Sequence, residues 1–279
     1  MISFCEQDII RFRNYLLQEE KSKATIEKYI RDIHFFQNWL AGKILNKEAV
    51  LLYKNKIMSS YKPASVNSML SSLNSFFGFI DRPDCRVKTL RFQKQIFASA
   101  SKELTKSEYE RLLSAALSMH NKRLYLIMQT ICATGIRVSE LSEITVASLN
   151  CEIAEIRCKG KIRQVFLPKK LCRILLKYAK KQKITSGPVF VTRSGKPLDR
   201  SNIWSNMRKL CKIANVSKEK VFPHNLRHLF ARTYYSLRKD IIRLADILGH
   251  SNVNTTRIYT METGEVHKKQ IEDLGLLRC

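Results

Sequence analysis

Acidic side chains are the scarce class in this sequence: 24 Asp and Glu stand against 50 Lys and Arg among 279 residues, a net charge of +26. That excess is larger than solubility requires, so a polyanion is the natural partner. Both parts of the chain share it, with 16 basic and 9 acidic residues in positions 1–98 and 34 and 15 in the remainder. The basic residues are spread through helical patterns and not gathered beside an apolar segment, which argues against a membrane surface. No apolar run approaches 18 residues, and Met1–Asp8 lacks a basic stretch followed by an apolar one. A cytoplasmic, soluble protein is therefore expected. The eight cysteines contain no CxxC and no zinc-ligand spacing, and no acidic cluster suggests a metal, so reduced thiols and no cofactor are expected. Internal repeats and low-complexity segments are lacking too.

What is present is enough apolar residue, 44%, for one large or two moderate domains. Apolar positions return every three or four residues up to about residue 80 and predict four helices. Ile9, Ile10, Phe12, Leu16 and Leu17 mark the first; Ile26 to Leu40 the second; Ala49, Leu52, Tyr53 and Ile57 the third; and Pro63 starts the fourth, running through Phe77 and Ile80. Residues 82–101 are basic and weakly periodic and are read as a linker, which places a helical domain at 1–81 and a second domain at 102–279. The second opens on a capping box, Thr105 to Glu108. Between Cys151 and Leu167 the period changes to two, with Ile153, Ile156 and Cys158 alternating, then a Lys159-Gly160-Lys161 turn, then Val165 and Leu167. This predicts a β-hairpin. A helix over 169–182, a short strand Val189–Val191, and helices near 200–215, 224–236, 240–248 and 264–274 complete the chain. The fold class is mainly α with a small β-sheet.

Several residues in the second domain could act on a phosphodiester. In Phe222-Pro223-His224-Asn225-Leu226-Arg227-His228, positions 224, 227 and 228 share one helical face just after a proline that suits a helix start. A guanidinium there presents a rigid donor fork to a phosphate, reinforced by helix amides. His228 is read as a packed histidine. Gly135 ends a helix and places Arg137 at a junction from which it can turn into a cleft, with Glu140 one turn later able to hold it. Lys159, on the hairpin turn, can deliver a proton if neighbouring cations lower its pKa; Lys161 competes for that role. Leu248-Gly249-His250 is followed nine residues later by Tyr259, a phenol that needs assistance to become a nucleophile. Taken singly, a surface ion pair, a solvated lysine or a structural tyrosine accounts for each.

The ordered set is far more specific. Arg137, a hairpin lysine, His224-x-x-Arg227, Gly249-His250 and Tyr259 together resemble the tyrosine recombinase (phage integrase) family along the whole second domain, and the four helices resemble its core-binding domain. The length resembles the minimal, Xer-like or mobile-element members, without the extra arm-binding domain of the lambda type. The resemblance implies that Arg137 and Arg227 clamp a phosphate, Tyr259 attacks it, Lys159 is the general acid, His224 orients or deprotonates, and His250 donates to the phosphate. One departure bears on Lys159: relatives commonly carry a residue between the Lys-Gly of the turn and the next lysine, whereas Lys159-Gly160-Lys161 is contiguous.

It also implies double-stranded DNA core sites as partners, a dimer on one site and a tetramer when two sites meet, and exchange of a carboxy-terminal segment, Val266 to Leu277, between protomers. An accessory directionality protein is a further expected partner. Two alternatives stay open, a type IB topoisomerase and a DNA-binding regulator that has kept the fold and lost catalysis.

Overall fold

The computed structural model describes residues 4–92, 102–158, 161–192, 194–259 and 272–274. Two compact units divide the chain, Met1–Lys94 and Gln95–Cys279.

The first unit is four helices: α1 (Glu6–Gln18), α2 (Lys23–Leu40), α3 (Lys47–Ser60) and α4 (Pro63–Phe79). Each start has a local cause. Ser22 and Asn46 accept the amides of Thr25 and Ala49 with their side chains, and Pro63 occupies the first turn of α4, where its missing N–H costs nothing. Ala41, in the left-handed conformation, ends α2. One face of each helix closes on an aromatic core that includes Phe12, Phe36, Phe76 and Phe77, while Ile10 and Leu17 stay exposed. A buried polar bridge ties α2 to α4: Asp32 accepts from Lys28 Nζ at 2.6 Å and from Ser72 Oγ at 2.8 Å.

The stretch after residue 82, read from the sequence as linker, begins as part of this unit. Cys85 and Val87 are buried in its core. Two asparagines spaced two turns apart on α4 hold the strand-like segment by paired bonds. Asn74 exchanges donor and acceptor with the backbone of Val87 at 2.8 and 2.9 Å, and Asn67 does the same with Leu90 at 2.9 and 2.7 Å. Side-chain amides matching backbone amides leave no apolar period, so the patterning could not reveal this attachment.

The second unit contains α5 (Lys106–Ser118), α6 (Lys122–Thr134), α7 (Val146–Cys151), the antiparallel hairpin β1 (Ile153–Cys158) and β2 (Lys161–Phe166), then α8 (Lys169–Lys181), α9 (Arg200–Ala214), α10 (Pro223–Arg238) and α11 (Ile241–Leu248). The capping box at Thr105 and Glu108 forms as expected. Helix α6 is the central element, buried from Leu124 to Thr134 on more than one face, and α10 lies against it. In the hairpin the inward phase is Ala154 and Ile156 with Val165 and Leu167, so Ile153 falls out of the expected alternation. The strand expected at Val189–Val191 does not form; two isolated bridges, Thr145 with Pro188 and Val191 with Pro197, take its place. Prolines on both lack the N–H that a ladder would need. The helix expected at 264–274 lies outside the described residues except for 272–274.

Candidate active site

Five of the sequence-predicted site residues meet in the second unit, delivered by four elements. Arg137 follows the end of α6, His224 and Arg227 sit in the first two turns of α10, His250 follows α11, and Tyr259 ends a short 3-10 turn, Arg257–Tyr259. Lys159 lies outside the described residues, as does Gly160.

Arg227 is the centre. Its side chain is only 1% exposed. Nη1 donates to the Gly135 carbonyl at 2.6 Å, and Nη2 donates to the Leu248 carbonyl at 2.8 Å and lies 3.0 Å from His250 Nε2. Nε is buried without a hydrogen-bond partner among the described residues. Burial, reinforced by the Arg137 charge, lowers its pKa to about 10, with the neighbouring Tyr259 hydroxyl pulling the other way. A cation with pKa of about 10 is still fully charged at neutral pH, so the site keeps a dehydrated positive charge tied to the ends of two helices.

Gly135 makes this arrangement possible. It ends α6 at φ +68°, and a Cβ there would come within 2.5 Å of the Phe230 ring. The turn lets the chain reverse into Arg137, whose side chain is a third exposed and lines a cleft of about 550 Å³. His224, Arg200, Ser201 and Trp204 line the same cleft.

Glu140 is buried beneath this surface and saturated. Its two carboxylate oxygens accept the Arg137 backbone N–H at 2.8 Å, Arg137 Nη1 at 2.9 Å, and both ends of the Arg163 guanidinium at 3.0 and 2.8 Å. Burial works against its ionisation, but the bonds from Arg163 and Arg137 prevail and leave the carboxyl below its ordinary pKa.

The histidines are held neutral. Burial first, then the Arg227 charge, lowers His250 to about 4. Burial also lowers His224, helped by Arg227 and Arg137. His228 is packed, as read from the sequence: its ring meets that of His224 at 4.6 Å and that of Tyr259 at 4.9 Å, and burial brings its pKa to about 4. Tyr259 is 3% exposed, with its ring stacked 6.1 Å from that of His250.

Sequence reasoning missed Arg163, Thr256 and the cleft residues Arg200 and Trp204. Arg163 did carry a signal: it shares the inward phase of Val165 and Leu167 on β2, an unusual place for a cation. Thr256, fully buried and bonded to His250 Nδ1 at 2.9 Å, had none.

A four-helix unit followed by a mainly helical unit that gathers two arginines, two histidines and a tyrosine defines the class. Residues 102–265 match the phage integrase family, and residues 9–82 match the phage integrase N-terminal SAM-like domain. The chain is 30% identical over 274 residues to tyrosine recombinase XerA of Pyrococcus horikoshii, covering 95% of this chain and 93% of that protein. Among solved structures, it resembles a XerA recombinase at 26% identity and TM-score 0.53, over 98% of this chain and 99% of that one. A lambda integrase dimer bound to a COC′ core site shares the fold at 18% identity and TM-score 0.73, over 93% of this chain and 96% of that one. The chain belongs to the phage integrase family and is a site-specific tyrosine recombinase.

Proposed function

We propose that Tyr259 cuts one DNA strand at a core site while Arg137 and Arg227 clamp the scissile phosphate. The Tyr259 oxygen bonds to phosphorus as the bond to the 5′-oxygen breaks, giving a 3′-phosphotyrosyl link. His224 takes the phenolic proton, and Lys159, or alternatively Lys161, supplies one to the departing 5′-oxygen. A 5′-hydroxyl from the partner duplex then reverses the step. One phosphodiester replaces another of similar energy, so ATP is not needed. Two fixed cations on a crowded phosphate act as a preorganised electrostatic clamp.

The observation that carries the assignment is Arg227, buried, bonded to His250 and neighbouring Tyr259. His250 is the phosphate donor in this reading. Its Nε2 accepts from Arg227 before DNA arrives, so donation follows once the phosphate takes that arginine and the imidazole gains a proton or changes tautomer.

Double-stranded DNA is the partner that the +26 charge favours. The lambda integrase dimer on its core site supports two protomers per site here, four in the synapse, and a carboxy-terminal segment from Val266 to Leu277 that docks on a neighbour. Removal of that segment should spare monomer folding and weaken assembly; intact cooperative binding would rule the docking out. An accessory directionality protein and a cytoplasmic location complete the proposal.

The test is covalent trapping on nicked duplexes taken from DNA flanking the coding sequence, comparing the full chain with Tyr259→Phe on denaturing gels. A covalent species formed by the wild type alone is expected. Tight binding by both proteins without any covalent species would favour the silent regulator, and relaxation of supercoils without a partner site would favour the topoisomerase.

A further inference from the structure

Arg163 does not line the cleft, yet it connects three parts of the site. From β2 it bridges both oxygens of Glu140, the carboxylate that also holds the Arg137 backbone and side chain. Its guanidinium and Cδ then lie across Gly249, where a Cβ would meet Arg163 Cδ at 2.5 Å and Nε at 2.9 Å. Gly249 ends α11 at φ +66° and immediately precedes His250. The Arg163 charge also contributes to the lowered pKa of His250, so the two are electrostatic neighbours.

We propose that Arg163 is a positioning residue for the transfer reaction: by filling the slot over Gly249 and locking Glu140, it sets the direction of the Arg137 fork and the seat of the turn that carries His250. The inference rests on the reading of Arg137 and His250 as phosphate ligands. Two physical features support it. A carboxylate whose lone-pair directions are all occupied has one orientation, and a planar fork that bonds both oxygens transmits that orientation without slack. Among the described residues Glu140 is also the single acidic partner that both arginines bond; without the Arg163 fork it could rotate toward Arg137 and draw that side chain out of line with a phosphate. Arg163 itself touches no reacting atom.

The experiment compares a normal scissile phosphodiester with a methylphosphonate at the same position, in a core-site duplex recovered by the trapping experiment above. The methyl group removes the negative charge that the clamp must meet, so a defect that acts through the clamp shrinks on the neutral substrate. Arg137→Ala is the reference for such a defect. For Arg163→Gln, covalent capture of the phosphodiester should slow by about 10- to 100-fold with DNA affinity unchanged, and the gap from wild type should largely close on the methylphosphonate. Arg163→Lys, which keeps the cation but bridges a single oxygen, should fall between the two. If Arg163→Gln does not fold, Arg163→Lys carries the same comparison. An equal loss on both substrates would mean a merely structural role, and no loss on either would also overturn the proposal. If Arg137→Ala itself shows no substrate-dependent defect, the failure lies with the catalytic reading. If Arg137→Ala shows it and the Arg163 variants do not, only the positioning role is lost.

Discussion

Arg227 Nη2 and His250 Nε2 stand 3.0 Å apart, and because arginine can only donate, the histidine nitrogen is the acceptor. The proton of the neutral ring therefore sits on Nδ1, which donates to Thr256 Oγ1 at 2.9 Å. The buried threonine fixes the tautomer through the nitrogen that faces away from the arginine.

Thr256→Val keeps the shape of that side chain and removes the acceptor. Capture of DNA should slow by about tenfold, by analogy with loss of an outer hydrogen-bond partner at a histidine ligand. Stability should fall by roughly 1 kcal/mol, the cost of one unmet buried donor. Trapping rates and urea unfolding measure the two effects. An unchanged trapping rate would show that the tautomer lock has no part in catalysis.

Acid should destabilise the second unit earlier than ordinary carboxylate titration would. His228 and His250 take up a proton only near pH 4 in the folded chain, whereas an unfolded histidine does so near 6.5, an ordinary model-peptide value of about 6.5. Between those pH values the unfolded state binds more protons, so stability drops as pH falls through the window. Melting temperature should decline from about pH 6.5 downward, and His228→Phe should flatten the decline. The same slope in both proteins would assign the effect elsewhere.

Gly135→Ala combines two penalties, a left-handed backbone angle and a Cβ 2.5 Å from the Phe230 ring. A loss of about 2–4 kcal/mol is expected from strain and overpacking together. Because the Gly135 carbonyl anchors Arg227, capture of DNA should also slow. Adding Phe230→Leu should recover part of the stability, read by urea denaturation; no recovery would mean that the backbone angle accounts for the whole loss.

In the first unit, Lys28→Ala would leave the buried Asp32 carboxylate with Ser72 Oγ alone of its two side-chain partners. Roughly 1–3 kcal/mol should be lost, the lower part of the range for breaking a paired charge because Lys28 is partly exposed. Hydrogen exchange should accelerate in α2 and α4 and stay unchanged in α5 to α11. Equal acceleration in both units would refute a local role for the bridge.

The helices of the first unit were legible because each buries one face and so writes a period of three to four into the chain, as Phe12, Phe36 and Phe76 show, whereas the six-residue α7 is too short to write one and was not read. The site's arginines, histidines and tyrosine were legible as an ordered set, since their spacings follow from the elements that carry them. The rest lay in contacts that leave no period. Asn67 and Asn74 capture the segment through Leu90 by side-chain amides. Arg163 reaches Glu140 across 23 residues, and its slot is visible only as the missing Cβ of Gly249. Pro188 and Pro197 ended a strand that Val189–Val191 suggested by composition alone.

The burial of Arg227 separates the site's response to ionic strength into two parts. The surface lysines and arginines that attract DNA work through water and a counterion atmosphere, so their contribution falls steeply as salt rises. Arg227, 1% exposed, lost its hydration when the chain folded, and mobile ions cannot gather around it. Salt should therefore act more strongly on how often DNA arrives than on the rate at which a bound strand is cut, where of the two clamp arginines only the one-third-exposed Arg137 meets mobile ions.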